Sequence, residues 1–556
     1  MLEEKKRAKI FDKKYGKWKP KKLKFNSFKN IIFSIFYLPF FVVSFLLFTF
    51  ARWVHKEGYR YSLGLIILSF SGLLLRIYNI KLQKLWIDEL ISLSAINNII
   101  NSGIPSLPSG VMYTRNIFFH YLLAFIKILF NTEDIKLKII SVIAGFLTII
   151  FVYIFTKKIL NKKVAIISSL LITFFNFEIA WSRQIRAYML LQFAIILCVF
   201  VYSRLKKNVS LKNLLLFLFS AIFTVSVSLI GIIIVCILIL DFFIEKKNRT
   251  KLLHLIKKNT KLFILIFFIF SLFMYAGNIF SAIIFISHSI LNPINNTHNY
   301  IKLFNSFFPY LYVLMPFLLL TLIFSFNKFI KTIYFYIILI LSLTFFIIEA
   351  SWLRYLTCAL PFLIIISSFF IHILYIIYCQ KKNKFINILF FIFFLTPFFI
   401  SDLSLFPQNN YQIQEPQTNF KLSYEYIYKN IKSSDTVISI TTGNIPAHYY
   451  LKEKFILNKN YIFTLLLDKQ KKAYRSYKKN GIWKENYVGT TIITNEMELK
   501  KIIKYNSGYL VFDQQKLYHI DNSIKNLLTT MNFLEEYSDE TIRLYYWDSE
   551  SHSFSL

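Results

Sequence analysis

From about residue 30 to residue 401, long apolar blocks alternate with short polar loops. A helix needs about 20 apolar residues to cross the hydrocarbon core of a bilayer. Blocks of that kind predict about 11 spans, near 61–80, 137–156, 164–180, 187–204, 214–228, 229–244, 262–280, 306–326, 333–349, 355–378 and 385–401. Two apolar stretches stand apart. Residues 30–51 are long enough to cross, but the loop charges favour a dip that returns around Pro39, or an interfacial helix. Residues 116–130 are short and carry His120 and Lys127, which fits a helix lying along the membrane surface. After residue 401 the pattern changes. TVISI (436–440), VGTTIIT (488–494), GYLVFD (508–513) and ETIRLYYW (540–547) read as strands. Residues 495–505 read as a helix capped by Asn495, and 514–529 as another. Strands alternating with helices predict a small α/β domain.

The expected organisation is therefore a polytopic α-helical membrane protein. It has a basic head (1–29), an extra apolar segment and loop (30–60), a membrane domain (61–401) with a first outer loop (81–136), and a C-terminal α/β domain (402–556). Of the 556 residues, 56% are hydrophobic and 17% charged, which excludes a chain of soluble domains. The net charge of +36 invites a nucleic-acid reading. Its distribution argues against one: residues 1–401 hold 46 basic and 12 acidic side chains, the tail 19 and 17. Loop lysines and arginines of that kind set membrane orientation. The clusters at Lys157–Lys163, Arg204–Lys212, Lys246–Lys261, Lys328–Lys331 and Lys381–Lys384 fall on one side, assigned to the cytoplasm. The tail and loops 81–136, 181–186, 281–305 and 350–354 then face outward, in a multi-pass protein of the cytoplasmic membrane. The four cysteines, Cys198, Cys236, Cys358 and Cys379, have neither disulfide nor zinc spacing.

With only 12 acids in the first 401 residues, their places are informative. Asp88, Glu89, Glu133, Asp134, Glu178 and Glu349 fall on the outer side. The adjacent pair Asp88 and Glu89 suits a general base, a metal ligand or both, against the plainer reading of a solvated loop start. Arg183 and Arg186, at i and i+3 with Tyr188 beside them and Glu178 just before, are expected on one helix face at the outer end of a span. Arg354 opens another span there, with Glu349 just before it. Each arginine alone fits a snorkelling anchor. Together with the acids they fit a site that binds an anion and uses a base. On an outer face beside lipid, that anion is expected to be a polyprenyl phosphate. Asp88 would deprotonate an attacking hydroxyl, and the arginines would take up charge on a departing phosphate. The chain shows no duplicated halves, and its acids sit at one rim. That favours an enzyme over a transporter or flippase of a lipid-linked glycan, or a non-catalytic scaffold.

At these residues the chain resembles membrane-embedded type C glycosyltransferases, in particular the glycosyltransferase family 39 type. That type includes protein O-mannosyltransferases and lipid A aminoarabinose transferases. The acidic pair in LWIDEL, the stretch 106–130, AWSRQIRAYML (180–190) and RYLTCALP (354–361) carry the likeness. The resemblance implies Asp88 as catalytic base, with Glu89 supporting it or binding a metal. It implies Arg183, Arg186, Arg354 and Tyr188 at the donor phosphate. Glu178, Glu349, Arg115 and His120 are supporting candidates, and a divalent metal is left open. The expected partners are membrane lipids, a polyprenyl-phosphate-linked sugar and an acceptor lipid, glycan or protein, with no nucleic acid. Where relatives have Pro-Pro before the surface helix, this chain reads Tyr113-Thr114-Arg115-Asn116; where others have Gln-Glu, it reads Arg183-Gln184.

Overall fold

The computed structural model describes residues 47–81, 84–261, 264, 268, 357–381, 419–441, 444–457, 461–465, 476–514, 522–539 and 541–549. The expected spans near 306–326, 333–349 and 385–401, nearly all of that near 262–280, most of segment 30–51, and the candidates Glu349 and Arg354 lie outside the described residues.

The membrane region is helical: α1 (Tyr59–Ile77), α2 (Ile87–Ser102), α3 (Ile117–Phe130), α4 (Lys138–Ile159), α5 (Lys162–Phe174), α6 (Asn176–Ser182), α7 (Tyr188–Lys207), α8 (Leu211–Val227), α9 (Gly231–Ile244), α10 (Lys246–Lys258) and α11 (Leu360–Lys381). Among the described residues, three stretches are long and apolar enough to cross a membrane by length and composition: α1, α7, and Asp134–Ile159, which contains α4. The expected span at 164–180 is not one straight helix. It breaks between α5 and α6, whose axes differ by 60°. The spans expected at 214–228 and 229–244 are helices of 17 and 14 residues, at and below the lower end of the usual crossing length. A 14-residue α3, exposing Phe125, Ile128, Leu129 and Phe130, agrees with a surface helix.

The basic loops meet at one end of this bundle. Glu57, 1% exposed, ends a helical stretch at 47–57 and binds Lys157 Nζ at 2.6 Å, while Lys162 Nζ donates to its main-chain carbonyl at 2.6 Å. Lys206 pairs with Asp241 at 2.7 Å at the same ends of α7 and α9.

The tail carries α12 (Phe420–Asn430), β1 (Thr436–Ile440), α13 (Ile445–Leu457), β2 (Ile462–Leu465), β3 (Ser476–Lys479), β4 (Ile482–Glu485), β5 (Thr491–Ile493), α14 (Glu496–Tyr505), β6 (Gly508–Asp513), α15 (Asn522–Thr529), β7 (Asn532–Phe533) and β8 (Ile542–Trp547). The sheet order is β3-β4-β5-β2-β1-β6-β8-β7, with β5, β2, β1 and β6 parallel and antiparallel strands at both edges. Strands β1 and β6 are buried throughout, as central strands covered on both faces must be. Their alternate side chains feed two cores. Val437, Tyr509 and Val511 join the core continuous with the membrane helices. Ile438, Ile440, Leu510 and Phe512 pack with Leu499 and Ile503 of α14 and Ile524 and Leu527 of α15.

Glu485 ends β4 almost fully buried, accepting from the amides of Tyr487 and Val488 at 2.7 and 2.8 Å. Burial pushes its pKa up from 4.5 to about 7, the two amides opposing. A raised carboxyl holds its proton after the unfolded chain has lost it. Its contribution to stability is complete below pH 4.5 and is lost as pH climbs through 7. Between pH 5 and pH 8 the wild type is therefore expected to lose stability relative to Glu485→Gln by up to about 3 kcal/mol. Paired melting curves at the two pH values measure this, and a constant difference would show that folded Glu485 is ionised throughout.

Candidate active site

Helix α2 starts beside Trp86, its N-cap, and puts Asp88 and Glu89 in its first turn. Consecutive helical side chains point about 100° apart, so the two carboxylates part company. Glu89 turns inward and is fully buried. One of its oxygens accepts from the Trp86 amide at 3.3 Å, the return half of a capping box. The other accepts from the Ile185 amide at 2.7 Å and lies 4.0 Å from Lys138 Nζ. Burial raises its pKa, with Lys138 and the two amides pulling it back. Both carboxylate oxygens of Glu89 thus tie the 183–187 turn to α2, a supporting part beside Asp88. Glu89→Ala would strand Lys138 and two buried amides. It is expected to cost about 3–5 kcal/mol, read as a fall in melting temperature, with Glu89→Gln milder. Equal melting of all three proteins would contradict the clamp.

Asp88 keeps 22% of its side-chain exposure and turns toward Arg186, with Oδ2 3.3 Å from Nη2. Arg186 also donates through Nη1 to the Asp88 carbonyl and to Ser92 Oγ, both at 3.1 Å, and through Nη2 to the Tyr188 hydroxyl at 3.4 Å. Its guanidinium lies 5.5 Å from the Tyr188 ring centre. Ser141 Oγ donates to the Arg186 carbonyl at 3.2 Å. The arginine is thus fixed by side chain and main chain alike.

The i, i+3 expectation for Arg183 and Arg186 is corrected. Both sit in the non-helical turn between α6 and α7. Arg183 is 5% exposed, and its Nε has no hydrogen-bond partner among the described residues. His120 is fully buried on α3, its ring centre 5.3 Å from that of Tyr113, and neither ring nitrogen is hydrogen-bonded among the described residues. Burial and then the charge of Arg186 push its pKa down to about 3, the Arg115 carbonyl offsetting part, so the ring is neutral at ordinary pH. Arg115 itself is exposed in the loop before α3. Glu178 is buried on α6, where it accepts from Gln192 and interacts electrostatically with Arg76.

Sequence reasoning passed over Ser92, Ser141, Lys138 and Arg76. The first two are short polar side chains whose partners are far along the chain. No group of three His, Cys, Asp or Glu suited to a metal occurs among the described residues, and Glu89 is committed to amides.

The tail rests on residues 81–136, which follow α1. Tyr449 of α13 donates to Asp134 at 2.6 Å, and Lys127 bridges Asp134 and Asn97 at 2.5 and 2.8 Å. The Ser109 amide donates to the Tyr487 carbonyl at 3.1 Å.

No curated protein sequence matches the chain. Among solved structures it is similar to ArnT from Cupriavidus metallidurans in the apo state, at 11% identity over 88% of this chain and 99% of that one, with a TM-score of 0.48. The undecaprenyl phosphate-bound form of that protein gives 10% identity over the same shares, also with a TM-score of 0.48. The archaeal oligosaccharyltransferase AglB from Archaeoglobus fulgidus, in complex with an inhibitory peptide and a dolichol-phosphate, gives 14% identity over 84% of this chain and 70% of that one, with a TM-score of 0.44. Residues 114–275 match the family model described as dolichyl-phosphate-mannose-protein mannosyltransferase, a stretch that contains Arg115, His120, Glu178, Arg183 and Arg186. Across residues 114–275 the chain is therefore similar to the dolichyl-phosphate-mannose-protein mannosyltransferase family, the kind of type C glycosyltransferase that its motifs resemble.

Proposed function

We propose that this protein transfers a sugar from a polyprenyl-phosphate donor to an acceptor hydroxyl at the outer face of the cytoplasmic membrane, with inversion at the anomeric carbon. The observation that carries this is the Asp88–Arg186 pair, a partly exposed carboxylate 3.3 Å from a guanidinium held on three further oxygens. The family description of residues 114–275 supports the donor class. Asp88 takes the proton of the attacking hydroxyl as its oxygen bonds the anomeric carbon. The carbon–oxygen bond to phosphate breaks, and its electron pair leaves with the polyprenyl phosphate. Arg186 and Arg183, with Arg354 from the later Arg-Tyr motif, stabilise that charge. One base and a stabilised leaving group suffice for single displacement. Tyr188 orients Arg186; Glu89 acts as a clamp.

In this orientation the lysine-rich end faces the cytoplasm and residues 402–556 form an outer domain. Incubating the purified protein with polyprenyl-phosphate hexoses and candidate acceptors tests the reading. Product with inverted anomeric configuration and released polyprenyl phosphate is the expected result. Movement of an intact lipid-linked glycan across vesicles, without transfer, would replace it with the flippase reading.

A further inference from the structure

Arg76, the penultimate residue of the first-span helix α1, is fully buried although it lies in an apolar segment. Its donors go to main-chain oxygens. Nη1 reaches Gly72 O at 3.0 Å and Thr173 O at 3.3 Å, and Nη2 reaches Ile172 O at 3.3 Å. Ile172 and Thr173 belong to the last turn of α5, just before the 60° break into α6. The last carbonyls of a helix have no amide partners in their own helix, and lipid offers no water to replace them. Arg76 supplies those donors.

Two glycines make room for it. A Cβ on Gly72 would stand 3.2 Å from Arg76 Nη1. One on Gly145 of α4 would stand 2.9 Å from Arg76 Nε and 3.0 Å from Ser182 Cβ. Ser182 is the last residue of α6, so the shaft of Arg76 passes beside the point where the chain enters the turn bearing Arg183 and Arg186. Glu178, one turn back on α6, supplies an opposing charge.

We propose that Arg76 is a positioning residue for this site: by binding the carbonyls released at the α5–α6 break it sets the direction of α6, and so the place of Arg183 and Arg186 relative to Asp88. The inference rests on the reading of those arginines as binders of the donor phosphate. Misplacing a charge clamp by about 1 Å costs on the order of 10²-fold in rate.

The test uses the full-length protein with Arg76→Gln, Arg76→Lys and Gly145→Ala, and reads two quantities per folded molecule. The first is the steady-state KM and kcat with a polyprenyl-phosphate hexose. The second is amide hydrogen exchange across residues 176–186. Arg76→Gln is expected to raise KM for the donor about tenfold or more, lower kcat, and speed exchange in that segment. Arg76→Lys, with one charged centre in place of a fork, recovers part of both. Gly145→Ala, which crowds Arg76 without removing its charge, shifts both the same way by a smaller factor and carries the test if Arg76→Gln does not fold. A lower folded yield with unchanged KM and unchanged exchange would mean a purely structural arginine and overturn the proposal. If the wild type transfers no sugar from any such donor, the functional reading fails, and the exchange data alone decide whether Arg76 holds the break.

Discussion

Asp88→Asn is expected to lower sugar transfer by about 10²- to 10⁴-fold while leaving the folded protein in the membrane. Asparagine has nearly the shape of aspartate, and its amide oxygen still accepts a hydrogen bond from Arg186. The cap of α2 depends on Glu89 rather than Asp88, so the helix start survives. What disappears is the group that takes the proton of the acceptor hydroxyl. Initial rates with purified protein at saturating donor measure the loss, with melting curves as the control for folding. A variant within about threefold of wild type would remove Asp88 from the chemistry.

Arg186→Lys is expected to lower kcat/KM by about 10²- to 10³-fold, although it keeps the charge. The guanidinium reaches the Asp88 carboxylate, the Asp88 carbonyl, Ser92 and Tyr188 from two nitrogens. A single ammonium cannot hold that fork and also meet a phosphate. The loss should appear both in KM for the lipid donor and in kcat, because charge on the phosphate grows toward the transition state. Arg183→Lys is expected to cost less, since its Nε makes no hydrogen bond among the described residues. Equal losses at the two positions would point to general electrostatics rather than to the Asp88–Arg186 geometry.

Much of the tail is legible in its sequence. The predicted strands at 436–440 and 508–513 match β1 and β6. Asn495 caps α14 as expected, its side chain accepting from the Glu498 amide at 2.8 Å. These are local patterns: a short apolar run between turn residues, and a polar cap followed by an acidic first turn. The hairpin of β3 and β4 is a different case. Asn480 and Gly481, both with positive φ, form its turn, which is a strong hairpin signal. The flanking strands SYKK and IWKE are largely polar and lie at the sheet edge, so the alternation that announces a strand is weak there. The prediction of helix across 514–529 overlaps only α15, Asn522–Thr529, among the described residues.

The site divides in the same manner. Asp88, Arg183 and Arg186 stand out in the chain because charge is rare in an apolar sequence and each lies at the end of a block. Glu89 stands out for the same reason, yet a pattern of charges cannot show which of two adjacent carboxylates faces the site. That depends on the 100° step of α2 and on a turn 96 residues away. Arg76 passes unnoticed in the sequence, because the carbonyls it serves are exposed only by a bend absent from the hydropathy pattern.

The sequence by itself determined a multi-pass helical membrane protein with an α/β tail, its loop charges on one side, and a small set of acids and arginines at the other. Hydropathy, charge and periodicity are properties of each stretch of chain, and the bilayer and the strand repeat act on them locally. Only the tertiary structure decided that Asp88 opens toward Arg186 while Glu89 clamps the turn behind it. It alone decided that one span bends over Arg76 and that the tail sits on residues 81–136. Those outcomes follow from hydrogen-bond donors and acceptors that must find one another across some hundred residues or more, and no local pattern records which pairs will meet.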